Sequence, residues 1–318
     1  MVKLTTAVIA LSSLYSRHVT SLSIIDESNC VPIENLGTND LDRYEYDVNM
    51  AIDDDCNYSL SMKMKHDVTL PLPSDPMTQC VPGPNLAIAS EDDLPYLAFR
   101  WAYAKVPRNV KKATGIDHIT IDFNSCGHPP VNVFTIPHYD FHIYLVDPEY
   151  RSCMTCDLAD ASPACDPNAQ STLSGNGFLN VAKVESGPNA GKIANMPDGF
   201  VVGHTDHIPL MGGHAWNPNT VPSPWVDPIW IMGPYNGGIV DYEPMIPLSF
   251  LQGSEDHMYE ETLTYVSQTI STLPTKYSAK YDGASGYLTL TLEGKSAVCN
   301  GDETKTGKKS KKAKKGKA

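Results

Sequence analysis

Helical periodicity is scarce in this 318-residue sequence, and long apolar runs are scarcer still. Beyond the N-terminal segment no run approaches the roughly 18 apolar residues that a membrane-spanning helix requires, so no membrane span is expected. Cationic charge is also short: 24 Lys and Arg stand against 37 Asp and Glu, a net charge of −13. The last 18 residues, GDETKTGKKSKKAKKGKA, hold eight Lys and two acids, or +6, which leaves −19 on residues 1–300. A body that acidic lacks the Lys and Arg that phosphate contacts need, which argues against nucleic acid as its partner. There is no internal repeat, no G-x-S-x-G elbow, no P-loop and no dinucleotide-binding glycine pattern. The function classes those motifs mark have no support here.

What the sequence does contain is punctuation and alternation. Twenty-five Pro and 22 Gly divide it into short segments. In Ile116–Asn124, IDHITIDFN, Ile116, His118, Thr120 and Asp122 fall on one side and Asp117, Ile119, Ile121 and Phe123 on the other. TKYSAKY and GYLTLTLEG flank a Gly- and Ser-containing turn and read as a hairpin. Pro247 is placed to start one short helix that ends near Gly253. Short strands with regular turn signals predict a mainly β (α+β) fold, a single antiparallel sheet or barrel-like domain with a few short helices.

The N-terminus, MVKLTTAVIALSSLYSRHVTSLS, has Lys3, an apolar stretch Ala7–Tyr15 and small residues up to Ser23. It reads as a secretory signal peptide over 1–23, the alternative being a poorly ordered soluble N-terminus. All eight cysteines lie beyond it, an even count that fits a secreted, disulfide-containing protein. Cys153, Cys156 and Cys165 could also bind zinc, but no fourth ligand stands at ordinary spacing, and disulfides are the better reading. A disulfide is likewise the better reading of Cys126, although a nearby His128 raises the alternative of a thiol nucleophile. Asn57 begins a glycosylation acceptor, N-Y-S. The expected organisation is an N-terminal extension with first strands over 24–89 and a core β-rich domain over 90–298. A disulfide-rich insertion at about 150–200 interrupts the core, and a disordered Lys-rich tail follows over 299–318.

The most informative stretch is PHYDFHIYL, Pro137–Leu145, in a chain with ten histidines. On a strand, His138, Asp140 and His142 share one face while Tyr139, Phe141 and Ile143 take the other. Two imidazoles and a carboxylate in a row suggest a metal site, with Asp140 as a ligand or as the group orienting a ring. The Cα atoms of His138 and His142 would stand roughly 13 Å apart on a straight strand, which is long for two ligands of one ion. Downstream, HTDHIPLMGGHAWNP adds His204, His207 and His214, and DYEPMIP adds Glu243. His128 reads as a turn residue, and Trp216, Trp225, Trp230 and Tyr235 as core or as the lining of a pocket. The candidate metal ligands are therefore His138, His142, His214 and Glu243, with Asp140 and Glu243 as candidate catalytic acid–base groups. The competing reading is a polar network in which the same groups only hydrogen-bond one another.

The blocks DHITIDFNSCGHPP, IPHYDFHIYLV, MPDGF, PLMGGHAW, IWIMGPYNGGIVDYEPMIPLSFL and PTKYSAKYD resemble a bacterial family of exported proteins of uncharacterised function. That family runs in the same order: a D-H-I/V strand, G-H-x-P, P-H-F-D-F-H-F-Y, M-G-x-H-W, an aromatic-rich turn and E-P-M-I. The likeness covers roughly residues 90–290. It implies an exported, compact, β-rich domain and makes His118, His138, Asp140, His142, His214 and Glu243 the matching polar positions. It implies no activity. The cysteine-rich segment Cys153–Cys165, His204, His207 and the Lys tail depart from the pattern.

Two functions follow from these residues. One is an extracellular metal-dependent enzyme, using a divalent metal (Zn, Mn or Fe) for hydrolysis or hydration of a small substrate. The other is a non-enzymatic extracellular binding or envelope protein whose His/Asp face is structural and whose aromatics hold a small-molecule ligand. The Lys tail suggests a polyanionic surface as a further partner, or else serves only as a solvated, solubilising segment.

Overall fold

A computed structural model describes residues 45–65, 102–128, 133–154, 184–188, 190–208, 210–222, 224–235 and 237–299, without the side chains of 102–103 and 203–208. The expected signal peptide, the Cys156 and Cys165 positions, most of the insertion and the Lys tail lie outside the described residues.

Among the described residues twelve strands carry the fold: β1 (Tyr46–Ile52), β2 (Asn57–Lys65), β3 (Ala102–Lys105), β4 (His118–Asn124), β5 (His138–Tyr144), β6 (Val201–Ile208), β7 (Gly212–Trp216), β8 (Ile229–Tyr235), β9 (Gly238–Pro247), β10 (His257–Thr262), β11 (Pro274–Asp282) and β12 (Tyr287–Lys295). The same residues hold two short helices, α1 (Arg108–Thr114) and α2 (Pro148–Ser152), and a 3-10 turn at Leu248–Leu251. The mainly β class is as the alternation predicts. The strands divide between two antiparallel sheets, ordered β1-β2-β12-β11-β10 and β3-β4-β5-β9-β8-β7-β6, and neither closes into a barrel. The β11–β12 hairpin and the short helical turn after Pro247 stand where the sequence places them. The early strands β1 and β2 are integral to the smaller sheet, because β2 pairs along its whole length with β12.

The sheets pack face to face through one apolar core. The larger sheet contributes Ile119, Ile121, Phe123, Tyr139, Phe141, Ile143, Trp230, Met232 and Tyr242, and the smaller contributes Leu60, Met62, Tyr277, Leu288, Leu290 and Leu292. Each alternates with residues pointing the other way, so the period of two decides which half of β4, β5 and β9 meets the core. On the smaller sheet the outward half of β12 is only half-buried. On the larger sheet the outward half of β4, β5, β8 and β9 is buried as well. Two apolar clusters help to cover it: Phe134, Trp225, Ile229, Ile231 and Met245 at one end, and Tyr144, Val146, Met154, Tyr235 and Val240 at the other.

The disulfide Cys56–Cys299 ties the start of β2 to the end of the described chain. Cys126 and Cys153 are disulfide-bonded too, which removes them as thiolate nucleophile and zinc ligand respectively.

Candidate metal centre

Between the two apolar clusters the second face of the larger sheet is polar. The antiparallel register sets Asn124 opposite His138, Asp122 opposite Asp140 and Thr120 opposite His142. On the other flank Asp140 pairs with Met245 and Tyr144 with Asp241, so Glu243 falls beside His142. Asp122, Asp140, Asp241 and Glu243 are thus four carboxylates at most 2 % exposed on one sheet face. Burying that much negative charge is costly unless protons, cations or hydrogen bonds compensate it.

Among the described residues two groups of three could hold a metal ion: His142 with His214 and Glu243, and His128 with His138 and Asp140. They have the same plan, a carboxylate between two imidazoles. In the first, His142 Nε2 lies 3.4 Å from Glu243 Oε1 and His214 Nε2 lies 3.0 Å from Glu243 Oε2. In the second, His138 Nε2 lies 3.1 Å from Asp140 Oδ1 and His128 Nε2 lies 3.3 Å from Asp140 Oδ2. The expected ligands therefore do not form one set. His138 and His142 point along the same face but into different groups, as their spacing on a straight strand requires. His142, His214 and Glu243 do come together.

Each group is held by a further layer of polar contacts. Asp122 Oδ2 stands 2.9 Å from His142 Nδ1, across the diagonal from β4 to β5. The carbonyl of Ile136 stands 2.6 Å from His138 Nδ1. Asn124 Nδ2 donates to Asp140 Oδ2 at 2.6 Å. With Nδ1–H given to these acceptors, the neutral ring of either histidine presents the Nε2 lone pair to its group, as metal-ligating histidines do. Neither His142 Nε2, His138 Nε2 nor Asp140 Oδ1 has an aligned hydrogen-bond partner, although all are buried.

His214 reaches its partner past β8. Ala215 of β7 pairs with Met232 of β8, which sets His214 beside Gly233. Gly233 in turn pairs with Asp241, and a Cβ at Gly233 would stand 1.6 Å from Asp241 Oδ1. Gly212, just before His214, has φ +92, a conformation glycine adopts at little cost. Leu210 in the same turn offers its carbonyl to Arg151 Nε at 3.0 Å and to the Tyr144 hydroxyl at 3.1 Å, which anchors the turn to α2 and β5.

The charges respond to this packing. Burial alone would raise the Asp140 carboxyl, but His138 and His128 overcome it and hold it well below the ordinary carboxylate range. Burial likewise opposes ionisation of Glu243, and His214 and His142 bring it below its usual value. In His142 burial disfavours the charged ring, yet Glu243 and Asp122 hold its pKa up to about 9. Asp241 has too little compensation, and burial pushes its carboxyl up to about 7.

His118 shares the face of β4 but joins neither group: its Nδ1 is 3.2 Å from Asp117 Oδ1 and its ring stacks on Tyr144 at 4.6 Å. The backbones of His204 and His207 run in β6, and their side chains lie outside the described residues. Sequence reading missed three participants, Asp122, Asn124 and Asp241, and took His128 for a turn residue. Asp122 and Asn124 share the parity of His118 along β4, a signal that places them on the polar face without identifying their partners.

No family model matches the chain, and neither a characterised protein nor a solved structure matches it.

Proposed function

We propose that this chain is an exported metal-dependent enzyme that hydrolyses or hydrates a small substrate, with a divalent ion (Zn, Mn or Fe) at His142, His214 and Glu243. One observation carries the reading. His142 Nε2 is buried without an aligned hydrogen-bond partner, faces Glu243 Oε1 at 3.4 Å, and belongs to a ring oriented by Asp122 through Nδ1. A divalent ion there would replace the proton on Nε2 and give the buried ring nitrogen and the Glu243 carboxylate a common partner.

Held by His142, His214 and Glu243, such an ion would supply Lewis-acid activation of a water as the nucleophile. The chain's own residues do the rest. Asp122 keeps His142 in the tautomer that presents Nε2. His214, 12 % exposed in its side chain against 2 % for Glu243, marks the side from which substrate arrives. Asp241, two residues from Glu243 on the same buried face, is the carboxylate that would take the proton lost by that water. Asp140 instead belongs to the neighbouring group, which makes it a weaker candidate for the base than its position in the sequence suggests.

Elemental analysis of gently purified protein tests the reading. Metal should be present and should be lost from H214Q and E243Q at the site they line; a content below about a tenth of an equivalent per chain, unchanged on adding zinc, would overturn it. The near-complete burial of His142 and Glu243 favours a second reading. In that reading the chain is an exported binding or envelope protein and the His/Asp face is structural. His142→Ala would then lower stability without removing a metal.

A further inference from the structure

We propose that His128, His138 and Asp140 form a second divalent-cation site, independent of the Glu243 group and able to fill when that group is empty. Asp140 presents one oxygen to each histidine, Oδ1 to His138 Nε2 at 3.1 Å and Oδ2 to His128 Nε2 at 3.3 Å. One donor atom from each of the three residues lies within 4.8 Å of the others, close enough for modest side-chain shifts to bring all three onto one ion at about 2.0–2.1 Å. A hydrogen bond explains the first contact poorly. His138 Nε2 and Asp140 Oδ1 are close but not aligned as donor and acceptor, and neither has another partner although His138 is 0 % and Asp140 1 % exposed.

The site is organised before any ion arrives. Ile136 O engages His138 Nδ1 and Asn124 Nδ2 engages Asp140 Oδ2, which leaves His138 Nε2 and Asp140 Oδ1 to face each other. His128 is held by its own backbone, whose N–H donates to Phe134 O at 3.0 Å. The preceding Gly127 has φ +67 and presses so closely on Phe134–Ile136 that a Cβ would lie 2.1 Å from Phe134 O. Trp225 packs edge-on against His138 at 5.0 Å and Phe134 lies 6.0 Å from His128, so the donors sit in a partly apolar shell that strengthens their pull on a cation.

Two imidazoles and one carboxylate suit a transition-metal dication such as zinc. Calcium and magnesium prefer all-oxygen shells. His128 comes from the turn after β4, and His138 and Asp140 come from β5. A cation here therefore staples that turn, and with it the Phe134–Trp225 contact, to the sheet.

Zinc titration of the full chain, after chelator treatment and removal of the chelator, tests the proposal. Wild type should bind two equivalents, H128Q one, D140N one and H214Q one. Cobalt bound to H214Q should retain a visible d–d spectrum, and the double variant H128Q/H214Q should lose it. Circular dichroism and thermal melts identify any variant that fails to fold, and H128Q, at a partly exposed position, is the primary test. If wild type binds one equivalent that H214Q abolishes and both H128Q and D140N retain, the second site is overturned and the Glu243 reading stands. If the single equivalent is lost in H128Q and kept in H214Q, the second site stands and the Glu243 reading falls. Binding of no zinc overturns both.

Discussion

His214 Nε2 lies 3.0 Å from Glu243 Oε2 although β8 runs between their strands. Strands two apart in a sheet are separated by about 9.5 Å, so neither side chain can make this contact without reaching over the strand between. On that strand Gly233 stands beside His214 in the register, and its missing Cβ leaves room for the Asp241 carboxylate.

Gly233→Val should accordingly damage the first group without touching a ligand. The added atoms collide with Asp241, and relief of that overlap costs about 1–3 kcal/mol. Urea denaturation should show the loss of stability, and zinc titration should show loss at the Glu243 group with the His128 group retained.

Asp122→Asn separates orientation of a ligand from ligation. Removing a carboxylate that orients a metal-bound histidine typically weakens binding about 10–100-fold. Competition against a chromogenic chelator should place D122N in that range and Glu243→Gln below it. Equal affinity in D122N and wild type would show that Asp122 plays no part in holding His142 for a metal.

In the metal-free protein His142 is held protonated, with its pKa raised to about 9. The unfolded ring titrates near about 6.5, so this contribution to stability is fully present below that pH and is lost as pH rises through about 9. Urea denaturation of the metal-free protein at intervals from pH 6 to 10 should show the decline, and His142→Gln should flatten it. Metal binding at pH 7.5 should release the His142 proton, which calorimetry in buffers of different ionisation enthalpy would detect.

The Cys56–Cys299 disulfide closes a sequence separation of 243 residues. A cross-link over so long a loop restricts the unfolded chain strongly, and its removal typically costs about 2–5 kcal/mol. The double variant C56S/C299S should melt lower than wild type and should keep both metal groups, because neither cysteine touches them.

Much of the local structure was legible in the sequence. Alternation in β4 and β5 assigned Ile119, Ile121, Tyr139 and Phe141 to one face and His118, His138, Asp140 and His142 to the other, and the structure has both assignments. The β11–β12 hairpin and the turn after Pro247 were legible for the same reason, because turn residues and a period of two act over a few residues.

The partition of the histidines was not legible. A period of two states which face a side chain takes but not what stands on the strand alongside, and that depends on register between segments up to about a hundred residues apart. Thus His138 and His142, neighbours in the sequence, serve different groups, while His142 meets Glu243 on β9 and His214 on β7. His128 looked like a turn residue because it is one; only the closure of its turn onto Phe134 brings it to Asp140. The division into two sheets has the same origin, since β2 pairs with β12 across the whole length of the larger sheet's sequence. The sequence by itself determined the faces of β4 and β5, the β11–β12 hairpin and the residue types available for chemistry, through local sterics and hydrophobic alternation. Tertiary structure alone decided which of those residues meet, because long-range strand pairing and burial of the second face set the distances between them.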